Sequence, residues 1–421
     1  MSNVIGLRCR ECGESYPKKL IHACSLCFGP LDVAYDYDKV ASSISRESIA
    51  RGPPTLWRYR ELLPIEREAS IVDIGVGFTP LLRAKNLARE LGLKEVYVKN
   101  DSVNPTFSFK DRPSSIAVSK AVEFGSPAVG AASTGNLSGA MAAHAAKARL
   151  PCFIFIPEGL ETSKVAQTLS YGAHVIEVGG TYDQANRLAT EIALTSNIAF
   201  ANINVRPYYV EGSKTLAFEV CEQLGWRAPE HVIVPVASGA LLHAVWRGLK
   251  ELEEVGLIDG WGTRISAAQA EGCSPIVGAL QRGASEITPV EKPDTICKSL
   301  AIGDPADGHY AIQAVRSTGG ASRAPNDEQI LDGVKLLAKT EGVFTEPAGG
   351  TVVTALKQLV EDGEIDRDEQ VVLYITGIGL KTQESIATAL LKPHHIEPTI
   401  ESFRGLVDKL QTPGVKWLEG I

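Results

Sequence analysis

Several short stretches of this chain carry residue types suited to carbonyl and phosphate chemistry. Asn104-Pro-Thr-Phe-Ser-Phe-Lys110-Asp-Arg112 sets a lysine amine among aromatic and polar neighbours after an Asn-Pro turn. Schiff-base chemistry needs a flexible amine held in this way, whereas a lone lysine is ordinarily a solvated surface charge. Ser133-Thr-Gly-Asn136 follows a short apolar run and opens an alanine-rich helical stretch, the pattern of an anion-binding helix N-terminus. Ala237-Ser-Gly-Ala-Leu241 follows Val-Pro-Val236 in a similar way, and Thr376-Gly-Ile-Gly-Leu-Lys381 follows Val371-Val-Leu-Tyr-Ile. Ile74-Gly-Val-Gly-Phe-Thr79 is a weaker glycine pair without the further glycine of a dinucleotide fingerprint. Thr79 reads there as a helix cap or a ligand contact.

A second constellation lies at the start. Cys9-Arg-Glu-Cys12 and Cys24-Ser-Leu-Cys27 give C-x2-C-x11-C-x2-C, with Gly13 and Gly29 close behind each pair. Four thiolates at this spacing suit a closed, structural, tetrahedral zinc. Two disulfides and a ribbon without metal are the competing readings. Cys152, Cys221, Cys273 and Cys297 are scattered and read as small buried apolar residues.

The elements that would position these residues alternate. Apolar strands are expected at Pro127–Ala132, Cys152–Ile156, His174–Val178, His231–Val236, Arg264–Gln269 and Val371–Thr376, with helices at 114–124, from Leu137, from Ser163, at Tyr182–Thr195 and at 242–253. Such alternation gives parallel sheets covered on both faces, with ligands at the carboxyl ends of the strands. Residues 34–70 read as a linker with short helices, Gly52 to Tyr59 being an extended crossing segment. His144, inside the alanine-rich helix, reads as packed.

The chain has 421 residues, long enough for two or three domains, with 44% hydrophobic and 22% charged residues. Its 42 basic and 50 acidic residues leave a net charge of -8, which argues against a nucleic-acid surface spread over the whole protein. A ribbon acting as a nucleic-acid module is the competing functional class. No apolar run is long enough to span a bilayer and no signal-peptide pattern opens the chain, so a cytoplasmic location is expected.

Taken in order, Asn104 to Arg112, Ser133 to Asn136, the loop after Val236, Glu346-Pro-Ala and Thr376 to Lys381 resemble the pyridoxal-phosphate enzymes of the tryptophan-synthase β type, from about residue 55 to 385. Within them the chain is similar to enzymes that turn O-phospho-L-homoserine and water into L-threonine and phosphate, many of whose bacterial members carry a four-cysteine leader that the start of this chain resembles. The resemblance implies two parallel-sheet α/β domains with the cofactor between them. Residues 1–35 would form the zinc-ribbon-like segment, 36–95 and 206–392 the larger domain, 96–205 the smaller one with the lysine, and 393–421 a helical extension. It also implies that Lys110 binds pyridoxal 5'-phosphate covalently and moves protons, that Asn136 meets the 3' oxygen, and that Thr376 meets the ring nitrogen. Ala237, Ser238, Gly239, Ala240 and Leu241 would cradle the phosphate, with Thr79, Ser108, Ser133, Thr134, Asn204 and Arg206 on the substrate. Structural zinc on Cys9, Cys12, Cys24 and Cys27, a small phosphorylated amino acid as substrate, a homodimer, and no nucleic-acid or membrane partner complete the expectation. The alternative is a β-replacement or dehydratase enzyme of the cysteate-synthase kind, acting on a phosphoserine-like substrate. At four positions the chain departs from the family pattern: the 237–241 loop lacks asparagines, Phe107 replaces a glycine, Tyr209 an arginine and Val76 an acidic residue.

Overall fold

The computed structural model describes residues 3–159, 162–387 and 393–410. At the N-terminus β1 (Val4–Cys9), β2 (Ser15–Tyr16) and β3 (Leu31–Tyr35) form an antiparallel sheet in the order β2-β1-β3. Leu31, Val33 and Tyr35 alternate inward along β3. Leu7, Leu31 and Val33 join the cluster that also holds Ile116 and Met141, so the ribbon is docked on the body.

Two further sheets carry the body. β4 (Leu81–Arg83) and β5 (Glu95–Asn100) come first in the chain. Then β6 (Val129–Ala132), β7 (Cys152–Pro157), β8 (His174–Val178) and β9 (Ala199–Phe200) make a four-stranded parallel sheet in the order β8-β7-β6-β9. With β10 (His231–Pro235), β11 (Arg264–Ala268), β12 (Ser322–Arg323) and β13 (Gln370–Ile375), a six-stranded sheet runs β12-β11-β10-β13-β5-β4. All its pairings are parallel except that of the edge strand β4 with β5.

Continuous apolar runs explain the central strands. β10 is buried at every position, and β13 at every position after Gln370. A parallel strand covered on both faces can expose neither side. Val232 and Val234 meet Leu242, Val245 and Leu249 of the helix Ala240–Glu254 on one face, while Ile233 and Leu373 meet Val352 and Leu356 of the helix Pro347–Glu361 on the other.

Three local expectations change. Residues 56–62 form a 3-10 helix rather than an extended crossing, with Leu56, Trp57, Tyr59 and Leu62 buried. The segment after Thr79 enters β4 instead of a helix; its short helix begins only at Lys85, and Asn100 N–H donates to the Pro80 carbonyl. β5, expected at the head of the smaller domain, pairs with β13 over its whole length. The described part of the C-terminal extension contains the helix Ile400–Leu410; residues 411–421 lie outside the described residues.

Candidate active site

β10, β13 and β5 are consecutive parallel neighbours, so the segments leaving their carboxyl ends emerge along one edge. These segments are Ala237–Leu241, Thr376–Lys381 and Asp101–Lys110. Edges of this kind are where open α/β sheets bind ligands.

The lysine segment is held by its own turn and by the segment after β13. Thr106 donates its N–H and hydroxyl to the Asp111 carboxylate at 2.7 and 2.9 Å. Phe109 N–H donates to the Thr376 carbonyl at 2.9 Å, and Ile378 N–H to the Phe107 carbonyl at 3.1 Å. Phe107 has φ +65°, a left-handed conformation in which a phenylalanine is strained and a glycine is not. Lys110 then caps the helix Asp111–Phe124. Its Nζ lies 4.6 Å from the Phe109 ring centre and 5.9 Å from that of Tyr209, and it makes no hydrogen bond among the described residues. Ser108 is fully buried, and its hydroxyl has no hydrogen-bond partner among them either.

Beneath the lysine lies a buried charge network. Arg112 grips Asp101 through Nε and Nη2 at 2.6 and 2.8 Å, and Glu219 through Nη1 and Nη2 at 2.5 and 2.8 Å. Lys99 Nζ reaches Glu219 at 2.7 Å. Burial opposes ionisation of Glu219, but Arg112 and Lys99 outweigh it and lower the carboxyl to about 2. Thr79 belongs to this network, its hydroxyl donating to Asp101 at 2.7 Å and accepting from Arg112 at 3.2 Å.

Beside Lys110 the chain collects a second polar group. Asn136 heads the helix Asn136–Ala148 and donates its Nδ2 to the Glu346 carboxylate at 3.1 and 3.4 Å. Lys381 Nζ donates to Asn136 Oδ1 at 3.1 Å. Because lysine only donates and carboxylate only accepts, the amide orientation follows from its partners. Burial raises the Glu346 pKa, opposed by Asn136, Lys381, Lys110 and the Thr376 hydroxyl. Burial likewise lowers Lys381, against the attraction of Glu346 and Asp111. Glu346 and Lys381 stand in the sequence motifs with no local signal of a role. Only the fold brings them to Asn136.

The remaining expected residues divide. Ser133 and Thr134 are half-buried in the turn after β6. Ala237–Leu241 turns through Gly239 at φ +93° into the helix Ala240–Glu254, whose first-turn amides no carbonyl of that helix can satisfy. Asn204 is spent internally: it accepts from Phe200 N–H at 2.8 Å and donates to the Ile198 and Ala193 carbonyls at 2.9 and 3.1 Å. Arg206 is paired with Asp307 at 2.5 Å.

At the ribbon, the four Sγ atoms of Cys9, Cys12, Cys24 and Cys27 lie within 4.8 Å of one another. The pairs Cys9–Cys27 at 3.4 Å and Cys12–Cys24 at 3.6 Å are too long for a disulfide of about 2.05 Å. Burial opposes ionisation of Cys24, yet hydrogen bonds from the Tyr16 hydroxyl and the Cys27 and Leu26 amides lower its thiol to about 6. Four converging sulfurs fit a tetrahedral zinc. Around Lys110, an unpartnered amine, an unpartnered buried hydroxyl, an amide and hydroxyl on a shared carboxylate, and a helix N-terminus on the neighbouring strand fit pyridoxal phosphate.

Residues 72–377 match the family described as pyridoxal-phosphate dependent enzyme, and the chain belongs to that family. Within it, the chain is 41% identical to the threonine synthase of Methanocaldococcus jannaschii, over 96% of this chain and 99% of that one. With the threonine synthase of Methanosarcina acetivorans it shares 39% identity over 94% and 97%. Among solved structures, the processed form of threonine deaminase isoform 2 from Solanum lycopersicum shares the fold with a TM-score of 0.62 at 21% identity, over 74% of this chain and 83% of that one. Diaminopropionate ammonia lyase from Escherichia coli gives 0.62 at 18% identity, over 77% and 94%. These two show the fold alone.

Proposed function

We propose that this chain is a pyridoxal-phosphate-dependent lyase that converts O-phospho-L-homoserine and water to L-threonine and phosphate. The observation that carries the chemistry is the free Lys110 amine where the segments from β5 and β13 meet, beside Asn136 and Glu346. The substrate follows from the threonine synthases that the chain resembles along nearly its whole length.

When bound, the cofactor supplies an electron sink for carbanion chemistry on the amino acid. Lys110 would hold the cofactor, and its free amine would serve as the base that moves protons at the α and β carbons. Asn136 offers Nδ2 to the 3' oxygen, with Lys381 fixing its amide. Thr376 would turn its hydroxyl from Glu346 to the ring nitrogen, a neutral partner that would temper the sink. The amides heading the helix at Ala240 face the cofactor phosphate, where the helix dipole favours negative charge. Ser108, Ser133 and Thr134 take the substrate's anionic groups. Thr79 and Asn204 are supports in this reading, because their polar atoms are already committed, while Arg206, held to Asp307 through Nη2 alone, keeps donors for the substrate's anionic groups. Zinc on the four cysteines is structural.

The domain division we propose gives the ribbon residues 1–35, a larger unit 36–100 and 206–387, and a smaller unit 101–205; the pairing of β5 with β13 supports the boundary after Asn100. A cytoplasmic homodimer acting on small molecules completes the reading. No helix among the described residues is long and apolar enough to cross a membrane.

The test is a direct comparison of O-phosphohomoserine with O-phosphoserine, following phosphate release and identifying the amino acid formed. Threonine and phosphate in equal amounts from the first substrate are expected. Faster turnover of phosphoserine would instead place the chain with the β-replacement enzymes.

A further inference from the structure

The ribbon is absorbed by nothing in the proposed chemistry, yet it touches the wall of the phosphate loop. Arg10 stands between Cys9 and Cys12, so a metal on those sulfurs would fix its backbone on both sides. Its guanidinium holds Asp32 of β3 through Nε and Nη2 at 2.9 and 2.6 Å, reaches Asp307 Oδ1 through Nη1 at 3.2 Å, and lies 4.2 Å from the Tyr310 ring centre. The neighbouring Glu11 accepts the Tyr310 hydroxyl. Two residues of one knuckle thus grip the start of the helix Gly308–Ser317.

Asp307, just before that helix, supports the loop from the other side. Its N–H donates to the Ser238 carbonyl at 2.9 Å, and its own carbonyl would lie 2.5 Å from a Cβ placed on Gly239. Arg10, Ala240 and Asp307 also line one small cavity at the head of the Ala240 helix. The Asp307 carboxylate is only 4% exposed and is shared between Arg10 and Arg206. Left unpaired, that charge would sit beside the helix end that receives a phosphate and would oppose it.

We propose that the four-cysteine ribbon is a metal-set clasp on the cofactor-phosphate loop, with Arg10 as a positioning residue that neutralises and immobilises Asp307. The clasp rests on the reading of Ala237–Leu241 as the phosphate cradle. Metal loss loosens the knuckle, withdraws Arg10, and leaves Asp307 with Arg206 alone.

Full-length protein is titrated with pyridoxal phosphate and, separately, with pyridoxal, reading the absorbance of the bound cofactor. Arg10→Gln, with its metal content verified, is expected to weaken pyridoxal phosphate binding on the order of tenfold, the scale of one lost charge-assisted hydrogen bond, and to leave pyridoxal unaffected. Adding Asp307→Asn to Arg10→Gln restores the affinity, a rescue that general loss of structure would not show. A zinc chelator weakens cofactor binding by the unsubstituted protein but adds nothing to Arg10→Gln. Should Arg10→Gln fail to fold, Asp307→Asn alone serves, expected to bind the cofactor at least as tightly as the unsubstituted protein and to ignore the chelator. A metal-loaded Arg10→Gln protein with unchanged affinity, or equal chelator sensitivity with and without the Asp307 carboxylate, overturns the clasp. If the unsubstituted protein binds pyridoxal as tightly as pyridoxal phosphate, the phosphate-loop reading falls, and the clasp with it.

Discussion

Lys110 owes its standing to neighbours that a sequence shows only in part. Its Asn-Pro turn, Asn136 and Thr376 are legible because each lies just beyond an apolar strand. Glu346 and Lys381 are not, because a single acid or base in a loop has the same local signature as a solvated charge. Thr79 and Asn204 mislead in the opposite direction. Polar loop residues suggest ligand contacts, whereas these two satisfy Asp101 and the backbone around β9. Phe107 is informative in another way, since a position expected to suit glycine has φ +65° with the residue 47% exposed. Phe107→Gly is therefore expected to raise stability by up to about 1 kcal/mol, the relieved strain exceeding the extra freedom of the unfolded glycine. Urea unfolding checks this, and a clear loss of stability would show that the ring's contacts outweigh the strain.

Among the elements, the strands were the most readable. Continuous apolar runs locate β6, β7, β10 and β13 closely, because parallel strands buried on both faces need such runs. β4 was missed, since three residues after a proline leave almost no pattern and its place comes from pairing with β5. The helix that begins at Asp111 depends on more than its own spacing. Arg112 ties it to Asp101 after β5 and to Glu219 of the helix Thr215–Gln223. Arg112→Met would leave two buried carboxylates with Lys99 and neutral donors of residues 78 and 79 as partners, and is expected to cost about 3–5 kcal/mol. Thermal or urea unfolding measures it. A cost below about 1 kcal/mol would mean that the network does not hold the lysine helix in place.

Across the fold as a unit, acid should be damaging. Burial lowers His144 and His231 to about 4 and His243 to about 3. Each is depressed below the ordinary value near 6.5, so the unfolded chain takes up protons first as pH falls. The stability these groups contribute is complete above about pH 6.5 and is lost towards about pH 4. Asp111, raised by burial to about 6, acts with the opposite sign and offsets part of the loss. His144 donates to the Ala140 carbonyl at 2.8 Å and keeps its other ring nitrogen buried without a partner. His144→Leu is thus expected to shrink the fall in unfolding free energy from urea curves between about pH 7 and about pH 5 by as much as about 2 kcal/mol. An unchanged fall would remove His144 as a contributor.

The family, the fold and the proposed chemistry meet at a single amine. Borohydride reduction of the pyridoxal-phosphate-loaded protein, followed by digestion and peptide mapping, tests that meeting point. Label on Lys110 alone is expected, with none on Lys381 despite its place beside Asn136, and a Lys110→Ala protein should take up no label. A label on any other lysine, or one that survives in Lys110→Ala, would contradict the assignment of Lys110 as the cofactor-binding residue.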